Sequence, residues 1–223
     1  MDVPQDQRAE IDWRDGVPIS KAYQDPYYSL SDGLAETEHV FLSGNDLPKR
    51  FKDGFKVAEL GFGSGLNALA TLRCWKEAGA QGRFTFTSFE KFLMNSEDLL
   101  QALAPFGFSA EASLLAQRLH IGDRKIEIGP MDLRIVEGDA RQTVPNWPDQ
   151  ADAWFLDGFA PARNPEMWED NLMAAIARKT RKGGSFATYS AAGKVRKALQ
   201  NAGFSVERKA GFGHKRHMTV GRK

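Results

Sequence analysis

Residues Val57–Leu69, with the sequence VAELGFGSGLNAL, decide the fold. A short apolar segment leads into glycines at alternate positions, Gly61, Gly63 and Gly65, and a helical pattern begins at Leu66. Glycine tolerates positive φ angles and has no Cβ, so it suits a sharp turn from strand to helix that a ligand approaches closely. The first backbone amides of the helix would point at that ligand. The stretch therefore predicts a strand, a binding loop and a helix.

The spacing of the glycines indicates which ligand the loop suits. In the dinucleotide fingerprint two residues separate the second and third glycines. Here one residue separates Gly63 from Gly65, and one more separates Gly65 from Asn67. A G-x-G-x-G-x-N loop behind Glu59 and Leu60 resembles the S-adenosylmethionine loop of class I methyltransferases. A glycine-rich turn without a ligand is the alternative interpretation.

Length and composition favour an ordinary globular protein. The chain has 223 residues, of which 42% are hydrophobic and 26% charged, and one α/β domain is expected at this length. Its single cysteine, Cys74, excludes an internal disulfide, and its polar start is not a signal peptide. No apolar run is long enough to span a bilayer. We therefore expect a cytoplasmic protein that does not enter a membrane.

The nearly neutral net charge of +1 hides an asymmetry. Residues 178–223 contain 13 Lys and Arg and a single acid, Glu207, a balance of +12, while the preceding 177 residues carry 17 bases and 28 acids. Such a basic segment indicates a polyanionic partner. The helical pattern within it places Lys194, Arg196 and Lys197 together, so these three are candidate contacts to nucleic acid. A solvated helix face is the alternative.

Alternating patterns predict a mostly parallel, Rossmann-like sheet. We expect strands over Lys56–Leu60, Arg83–Phe89, Ile126–Ile128, Leu133–Val136, Ala153–Leu156 and Ser185–Tyr189. Helices are expected over Leu66–Glu77, Asn95–Leu103, Ala110–Leu119, Asn171–Thr180 and Lys194–Asn201. Phe204–Lys209 and His217–Val220 follow each other without a helix, which predicts a C-terminal antiparallel hairpin. We expect residues 1–50 to form an N-terminal extension that packs on a main domain of residues 51–223.

Acidic residues follow two predicted strands at the edge where the glycine loop lies. Glu90 ends the strand after the loop, where a carboxylate can accept hydrogen bonds from both ribose hydroxyls of a nucleoside. Asp139 follows a later strand and can accept from an exocyclic amine such as that of adenine. Each has a simpler interpretation, a solvent-facing strand end for Glu90 and a helix cap for Asp139.

The segment Ala151–Trp168, ADAWFLDGFAPARNPEMW, is the most unusual part of the chain. A buried strand delivers Asp157 to the crevice edge, and Phe159 and Pro161 follow it. A carboxylate beside an aromatic plate suits the binding and deprotonation of an amine attached to a flat ring. An alkyl amine is mostly protonated at neutral pH and cannot attack a methyl group until it loses that proton. A helix-capping role for Asp157 is the alternative.

Two further groups of residues are ambiguous. The aromatic cluster Tyr23, Tyr27 and Tyr28 fits either a cover over the ligand pocket or simple packing under a loop. His39 lies on a predicted helix without a Cys or His partner, and His214 and His217 lie three residues apart without a carboxylate or cysteine to join them. We expect no metal site.

Five signatures resemble the methyltransferase half of the MnmC family of bifunctional tRNA-modifying proteins. They are GLAETEHVFLSGNDL (Gly33–Leu47), ELGFGSGLN (Glu59–Asn67), SFEKF (Ser88–Phe92), DAWFLDGFAPARNPEMW (Asp152–Trp168) and GFGHKRHM (Gly211–Met218). The resemblance implies a class I methyltransferase fold and S-adenosylmethionine as methyl donor. It also implies methyl transfer to the amine of 5-aminomethyl-(2-thio)uridine at the wobble position of tRNA.

The resemblance also implies roles for individual residues. The expected cofactor site comprises Glu59, Gly61, Phe62, Gly63, Gly65 and Asn67, together with Glu90, Lys91, Asp139 and Ala140. Asp157 would orient the acceptor amine and take its proton, and Phe159 and Pro161 would shape the uridine pocket. In-line positioning and an unprotonated amine would then account for catalysis, because the sulfonium is already a good leaving group.

The chain differs from the bifunctional proteins in one respect. It ends at Lys223 without a second glycine fingerprint, so neither their flavin-dependent oxidase activity nor FAD binding is expected here. Either the chain is a stand-alone methyltransferase, for which a separate oxidase or another source supplies the aminomethyl substrate, or it is a fragment of a longer protein.

Three other functions remain open. The chain could methylate an amine of a small molecule or protein, or bind RNA without catalysis. The third is a nicotinamide-dependent oxidoreductase, against which the displaced third glycine argues.

Overall fold

The computed structural model describes residues 8–30 and 32–223. The strands are β1 Ile11–Arg14, β2 Val17–Ser20, β3 Asp25–Pro26, β4 Phe55–Leu60, β5 Phe84–Glu90, β6 Lys125–Ile128, β7 Met131–Glu137, β8 Ala151–Leu156, β9 Thr180–Thr188, β10 Ser205–Ala210 and β11 His217–Arg222. The α-helices are α1 Gly33–Thr37, α2 Leu66–Glu77, α3 Ser96–Leu103, α4 Ser109–His120, α5 Ala140–Asn146, α6 Asp170–Arg178 and α7 Gly193–Asn201. Glu38–Leu42 forms a π-helical turn, and Ser43–Asn45, Ala104–Phe106 and Pro165–Trp168 are 3₁₀ turns.

The central sheet has eight strands in the order β10-β11-β9-β8-β4-β5-β7-β6. The pairs among β9, β8, β4, β5 and β7 are parallel, and β6, β11 and β10 pair antiparallel. The predicted Rossmann-like class and the closing antiparallel hairpin are both confirmed. From β4 the chain winds outward through β5 and β7, and then returns to build β8 and β9 on the other side. The carboxyl ends of β4 and β8 therefore flank the topological switch point, where α/β sheets bind ligands.

Side chains of the central strands alternate between two apolar layers. Val57 and Phe155 pack on one face with α2, α3 and α4. Ala58 and Trp154 pack on the other face with α5, α6 and α7. All four are fully buried, as expected for parallel strands with helices on both sides. This burial holds β4 and β8 rigidly at the centre of the sheet.

A small antiparallel sheet, β1-β2-β3, lies over one end of the main sheet. Its first hairpin turns at Asp15 and Gly16, which both have positive φ. The indole of Trp13 donates to Asp98 of α3 at 3.2 Å, and the Tyr28 hydroxyl donates to the Ala102 carbonyl at 3.0 Å. These bonds anchor the N-terminal sheet on α3.

The predicted boundary between α6 and β9 is wrong by several residues. Helix α6 ends at Arg178, and β9 begins at Thr180 rather than at Ser185. The physical reason is pairing with the C-terminus, because the Gly183 amide donates to the Lys223 carbonyl at 3.0 Å and the Lys223 amide to Gly184 at 2.9 Å. These long-range bonds extend a strand that local propensity does not favour.

Among residues 8–30 and 32–223, no helix has the length and apolar character needed to cross a membrane.

Candidate active site

The carboxyl ends of the central strands open into a crevice of about 970 Å³. The segments that follow β4, β5, β7 and β8 line it, and the predicted site residues among them are Gly61, Phe62, Gly63, Asn67, Glu90, Lys91, Asp139, Ala140, Asp157 and Phe159. A cavity of this size is at the upper end of the range for small-molecule sites. It has room for a nucleoside-sized ligand and a second reactant.

The glycine loop fits against the neighbouring strand end. The loop glycines all have positive φ, at 85° for Gly61, 54° for Gly63 and 81° for Gly65. A Cβ on Gly61 would lie 2.7 Å from the Asp157 carbonyl oxygen, and a Cβ on Gly65 would lie 2.8 Å from the Phe62 ring. Both glycines are therefore required by contacts within the protein itself, in addition to any contact with a ligand.

The Asn67 side chain joins two carboxylates at the base of the crevice. Its amide nitrogen donates to Glu59 at 2.8 Å and to Asp157 at 2.7 Å. Its amide oxygen accepts from the Thr37 hydroxyl at 2.7 Å. Both amide hydrogens are then committed. Asn67, in the first turn of α2, thus fixes the carboxylate of Asp157 relative to the glycine loop.

Glu59 lies behind the crevice. It is fully buried, and its second oxygen accepts from the Ser88 hydroxyl at 2.6 Å. Burial raises the pKa of Glu59 well above its usual range, and the hydrogen bonds from Ser88 and Asn67 oppose this. Glu59 therefore supports the site indirectly, because it accepts from the same Asn67 amide nitrogen that donates to Asp157.

Asp157 presents a half-buried carboxylate to the crevice. Burial raises its pKa to about 7, the hydrogen bond from Asn67 lowers it, and the charges of Glu36 and Lys215 raise and lower it respectively. A carboxyl with this pKa can both take up and release a proton near neutral pH.

Glu90 is held by the backbone of the glycine loop. One carboxylate oxygen accepts from the Gly63 amide at 3.1 Å, and the other accepts from the Phe92 amide at 2.8 Å. Burial raises the pKa of Glu90, and these backbone bonds act against the rise. The carboxylate lines the crevice, where a ligand can approach it.

Asp139 performs the helix-capping role that was the alternative for it. Its side chain accepts from the Arg141 amide at 3.0 Å at the start of α5. The same carboxylate receives two hydrogen bonds from the Arg141 guanidinium, which hold its pKa below the usual range. Lys91 lies 3.9 Å from it. Asp139 still lines the crevice, but most of its acceptor capacity is used.

Aromatic rings from the N-terminal sheet cover the segment after Asp157. The Phe159 ring stacks on Tyr23 at 4.8 Å and meets Tyr27 edge-on at 5.0 Å. The Ala160 amide donates to Asp25 at 2.8 Å and ties this segment to β3. All three rings line the crevice, so the N-terminal aromatics contribute to the pocket as well as to packing.

The opposite wall contains residues that the sequence did not single out. Lys215, between β10 and β11, donates to Glu36 of α1 at 2.7 Å. Tyr189, just after β9, donates to the Gly158 carbonyl at 2.7 Å. Burial raises the pKa of Tyr189 well above its usual range. Glu36 and Lys215 lay within two of the signature stretches, but no spacing in the sequence indicates that they meet.

Some predicted site residues lie away from the cavity. Within the described part of the chain, the predicted residues that do not line the crevice are Glu59, Gly65, Pro161, Lys194, Arg196 and Lys197. Helix α7, which contains the last three, starts just beyond the carboxyl end of β9 and so begins at the crevice edge. In the same described ranges, no cluster of three or more His, Cys, Asp or Glu side chains is arranged to hold a metal ion.

Comparisons with known proteins agree with this architecture. A family model described as S-adenosyl-L-methionine-dependent methyltransferase matches residues 108–223. The tRNA 5-methylaminomethyl-2-thiouridine biosynthesis bifunctional protein MnmC of Methylobacillus flagellatus is 41% identical, over 100% of this chain and 36% of its own length. MnmC of Chromobacterium violaceum is 42% identical, over 96% of this chain and 34% of its own length. The chain thus spans about a third of these curated relatives.

The chain covers a larger share of one solved structure than of these relatives. The crystal structure of MNMC2 from Aquifex aeolicus superimposes with a TM-score of 0.77 at 27% identity, over 99% of this chain and 72% of that one. A precorrin-6y C5,15-methyltransferase from Geobacter metallireducens has a TM-score of 0.50 at 14% identity and matches in fold alone.

Substituting Gly61 tests the close approach of the glycine loop to Asp157. Both Gly61→Ala and Gly54→Ala place a Cβ at positive φ, a strain of about 1 kcal/mol. A Cβ on Gly54 would meet no described atom within 4 Å, whereas a Cβ on Gly61 would displace the Asp157 backbone. We expect Gly61→Ala to weaken S-adenosylmethionine binding about tenfold or more by calorimetry, a loss of about 1.4 kcal/mol. Gly54→Ala should bind normally, and equal affinities for the two variants would contradict this account.

Proposed function

The chain belongs to the S-adenosyl-L-methionine-dependent methyltransferase family, and we propose that it methylates the primary amine of 5-aminomethyl-(2-thio)uridine at the wobble position of tRNA. The product would be 5-methylaminomethyl-(2-thio)uridine. The observation that carries the proposal is the half-buried Asp157 carboxylate, which follows the strand next to the glycine loop and lines the same crevice as the Phe159 ring. The relatives named for 5-methylaminomethyl-2-thiouridine biosynthesis support the choice of substrate.

The donor half of the crevice suits S-adenosylmethionine. The cofactor would lie along the backbone of Gly61, Phe62 and Gly63, with the Glu90 carboxylate receiving the ribose hydroxyls. Asp139 and Ala140 would border its adenine. When bound, the sulfonium supplies an electrophilic methyl group, whose transfer to nitrogen breaks the S–CH₃ bond and leaves S-adenosylhomocysteine.

Asp157 would control the proton of the acceptor. An alkyl amine must lose a proton before its lone pair can attack, and a carboxylate with a pKa of about 7 can accept that proton. The bond from Asn67 would keep one oxygen fixed, so that the other faces the amine. Fixed geometry of this kind is the main source of acceleration when the leaving group is already activated.

The aromatic rings would hold the uridine. Phe159, Tyr23 and Tyr27 present flat faces and edges on which a pyrimidine can stack. Pro161 follows Phe159 in the chain. It does not line the crevice itself and would border the uridine pocket from behind the lining residues.

The basic C-terminal segment would receive the RNA backbone. Helix α7 starts at the crevice edge, and Lys194 and Lys197 are exposed on it. Such a position would place positive charge next to the phosphates that flank an inserted nucleotide. A separate oxidase or another cytoplasmic enzyme would supply the aminomethyl group.

The direct test is methyl transfer from labelled S-adenosylmethionine to tRNA that contains 5-aminomethyluridine, followed by nucleoside analysis. We expect label in 5-methylaminomethyluridine, and none when the amine carries a carboxymethyl group. If S-adenosylmethionine binds but no label appears in the tRNA, the result would favour the alternative of a small-molecule or protein amine methyltransferase.

Replacing Asp157 should change the pH dependence of the reaction. With the natural residue, kcat/KM should rise with pH through about 7, because the carboxyl must be deprotonated to accept the amine proton. Asp157→Asn should lower kcat by roughly 10²-fold or more and remove this limb of the profile, while S-adenosylmethionine still binds. Asp123→Asn, at a remote surface ion pair, serves as the control. An unchanged profile would exclude Asp157 from proton transfer.

Charge reversal on α7 tests the RNA-binding surface. Lys194→Glu with Lys197→Glu should weaken tRNA binding and reduce the slope of log affinity against log salt by about two. The matched control is Lys49→Glu with Lys52→Glu, which changes the same charge just before β4, at the amino end of the sheet. Equal effects of the two double variants would rule out α7 as the RNA surface.

A further inference from the structure

An ion pair on the crevice wall joins parts of the chain that are distant in sequence. The Lys215 ammonium donates to Glu36 at 2.7 Å, across 179 positions of sequence. The Glu36 carboxylate is largely buried, with 11% of its side chain exposed, whereas 45% of the Lys215 side chain is exposed. Both residues line the crevice that contains Asp157. Burying a carboxylate in this way is costly unless a cation compensates it.

Further contacts extend this ion pair towards the loop that contains Asp157. The Lys215 ammonium lies 4.1 Å from the centroid of the Tyr189 ring. The Tyr189 hydroxyl donates to the Gly158 carbonyl at 2.7 Å, directly after Asp157. The ammonium therefore contacts both α1 and the end of β9, and through Tyr189 it is linked to the backbone that presents the Asp157 carboxylate.

The loop between β10 and β11 holds Lys215 in place. The Lys215 amide donates to Phe212 at 3.0 Å, and the Gly211 amide donates to Arg216 at 3.2 Å. A Cβ on Gly211 would lie only 2.0 Å from the Lys215 carbonyl oxygen. The Phe212 ring is partly buried against the apolar core. This compact turn limits where the ammonium can lie.

We propose that Glu36 and Lys215 are positioning residues that act as an electrostatic pair on Asp157 and set the pH range in which it can accept the proton of the acceptor amine. This inference rests on the proposed function, in which Asp157 is the proton acceptor. Neither residue needs to touch the acceptor, because both act through their charge and through the Tyr189 contact.

The other charged groups described around Asp157 do not form a pair of opposed charges of the kind that Glu36 and Lys215 form. The titratable or charged groups near it, apart from the pair, are Glu59 of β4, Glu90 of β5, Tyr189 after β9 and Asp25 of β3. Glu59 is fully buried behind the crevice and shares the Asn67 amide with Asp157, Glu90 is held by backbone amides, and Asp25 accepts from Ala160. Lys215 is the cation whose charge acts on Asp157, and Glu36 acts in the opposite direction.

Glu36→Gln is the first test, and Glu38→Gln is its matched control. Glu38 lies two positions further on and forms an ion pair of similar length, 2.6 Å, with Arg73 on the outer surface. The readout is the titration of the Asp157 carboxyl by ¹³C NMR of the free protein, assigned with Asp157→Asn. We expect the midpoint to fall by about half a pH unit or more in Glu36→Gln, because a nearby negative charge is lost. Glu38→Gln should titrate like the natural protein.

Lys215 variants give the opposite sign and a rescue. Lys215→Met should raise the midpoint by about half a pH unit, while Lys215→Arg, which retains the charge, should restore it. The double variant Glu36→Gln with Lys215→Met removes both charges and leaves no buried carboxylate unpaired, so it should titrate close to the natural protein. Midpoints that stay together in Glu36→Gln, Lys215→Met and the control would overturn the proposal.

The pH profile of methyl transfer then separates this inference from the proposed function. If the proposal holds, the acidic limb of kcat/KM moves in parallel with the NMR midpoint in each variant. A second outcome is that the NMR midpoints move but neither the natural protein nor any variant methylates the tRNA. That result would refute the proposed function and leave the electrostatic pair intact. An acidic limb that stays fixed while the NMR midpoints move would overturn the assigned role in turnover.

Discussion

The close contact between Gly61 and the backbone of Asp157 is the constraint on which the site depends. Strands β4 and β8 are parallel neighbours, with Leu60 opposite Leu156, so the next residue of each strand emerges side by side. No side chain fits between them, since a Cβ on Gly61 would lie 2.7 Å from the Asp157 carbonyl oxygen. The glycine loop and the Asp157 backbone are thereby held at a fixed separation by the sheet itself. The Asn67 amide then fixes the carboxylate as well as the backbone.

This arrangement buries several carboxyl groups close together, which lowers the free energy of unfolding at neutral pH. Burial raises the pKa values of Glu59, Glu90 and Asp157. A carboxyl whose pKa is higher in the folded state binds its proton more tightly there, so its contribution to stability is present at low pH and is lost as pH rises through the folded pKa. For Asp157 the loss extends from about pH 4, its value in an unfolded chain, to about 7. The same burial gives the residue a proton affinity suited to neutral pH.

Local patterns predicted which residues line the crevice at the central strand ends, because these residues end or directly follow their strands. Gly61, Glu90 and Asp157 could each be placed at a strand end from periodicity alone, and parallel strands bring such ends to one edge. The wall of the crevice that α1 and the C-terminal hairpin form was less predictable. Glu36 and Lys215 meet through a contact across 179 positions, for which a single sequence contains no periodic signal. Asp139 shows why residue type alone is weak evidence. It follows a strand and also precedes α5, so the same position suits both a ligand contact and a helix cap.

The two halves of the crevice therefore differ in how they are built. The part proposed to bind the methyl donor is formed by turns after central strands, which are buried on both faces and tightly constrained. The acceptor half is assembled from the N-terminal sheet, α1 and the C-terminal hairpin, which are held by a few specific bonds such as those from Ala160 to Asp25 and from Lys215 to Glu36. Substitutions in these peripheral segments can alter the acceptor pocket without disturbing the strand ends. In the proposed function the donor site lies at the ends of the central strands, and the residues that would select the acceptor lie in the N-terminal sheet, α1 and the C-terminal hairpin.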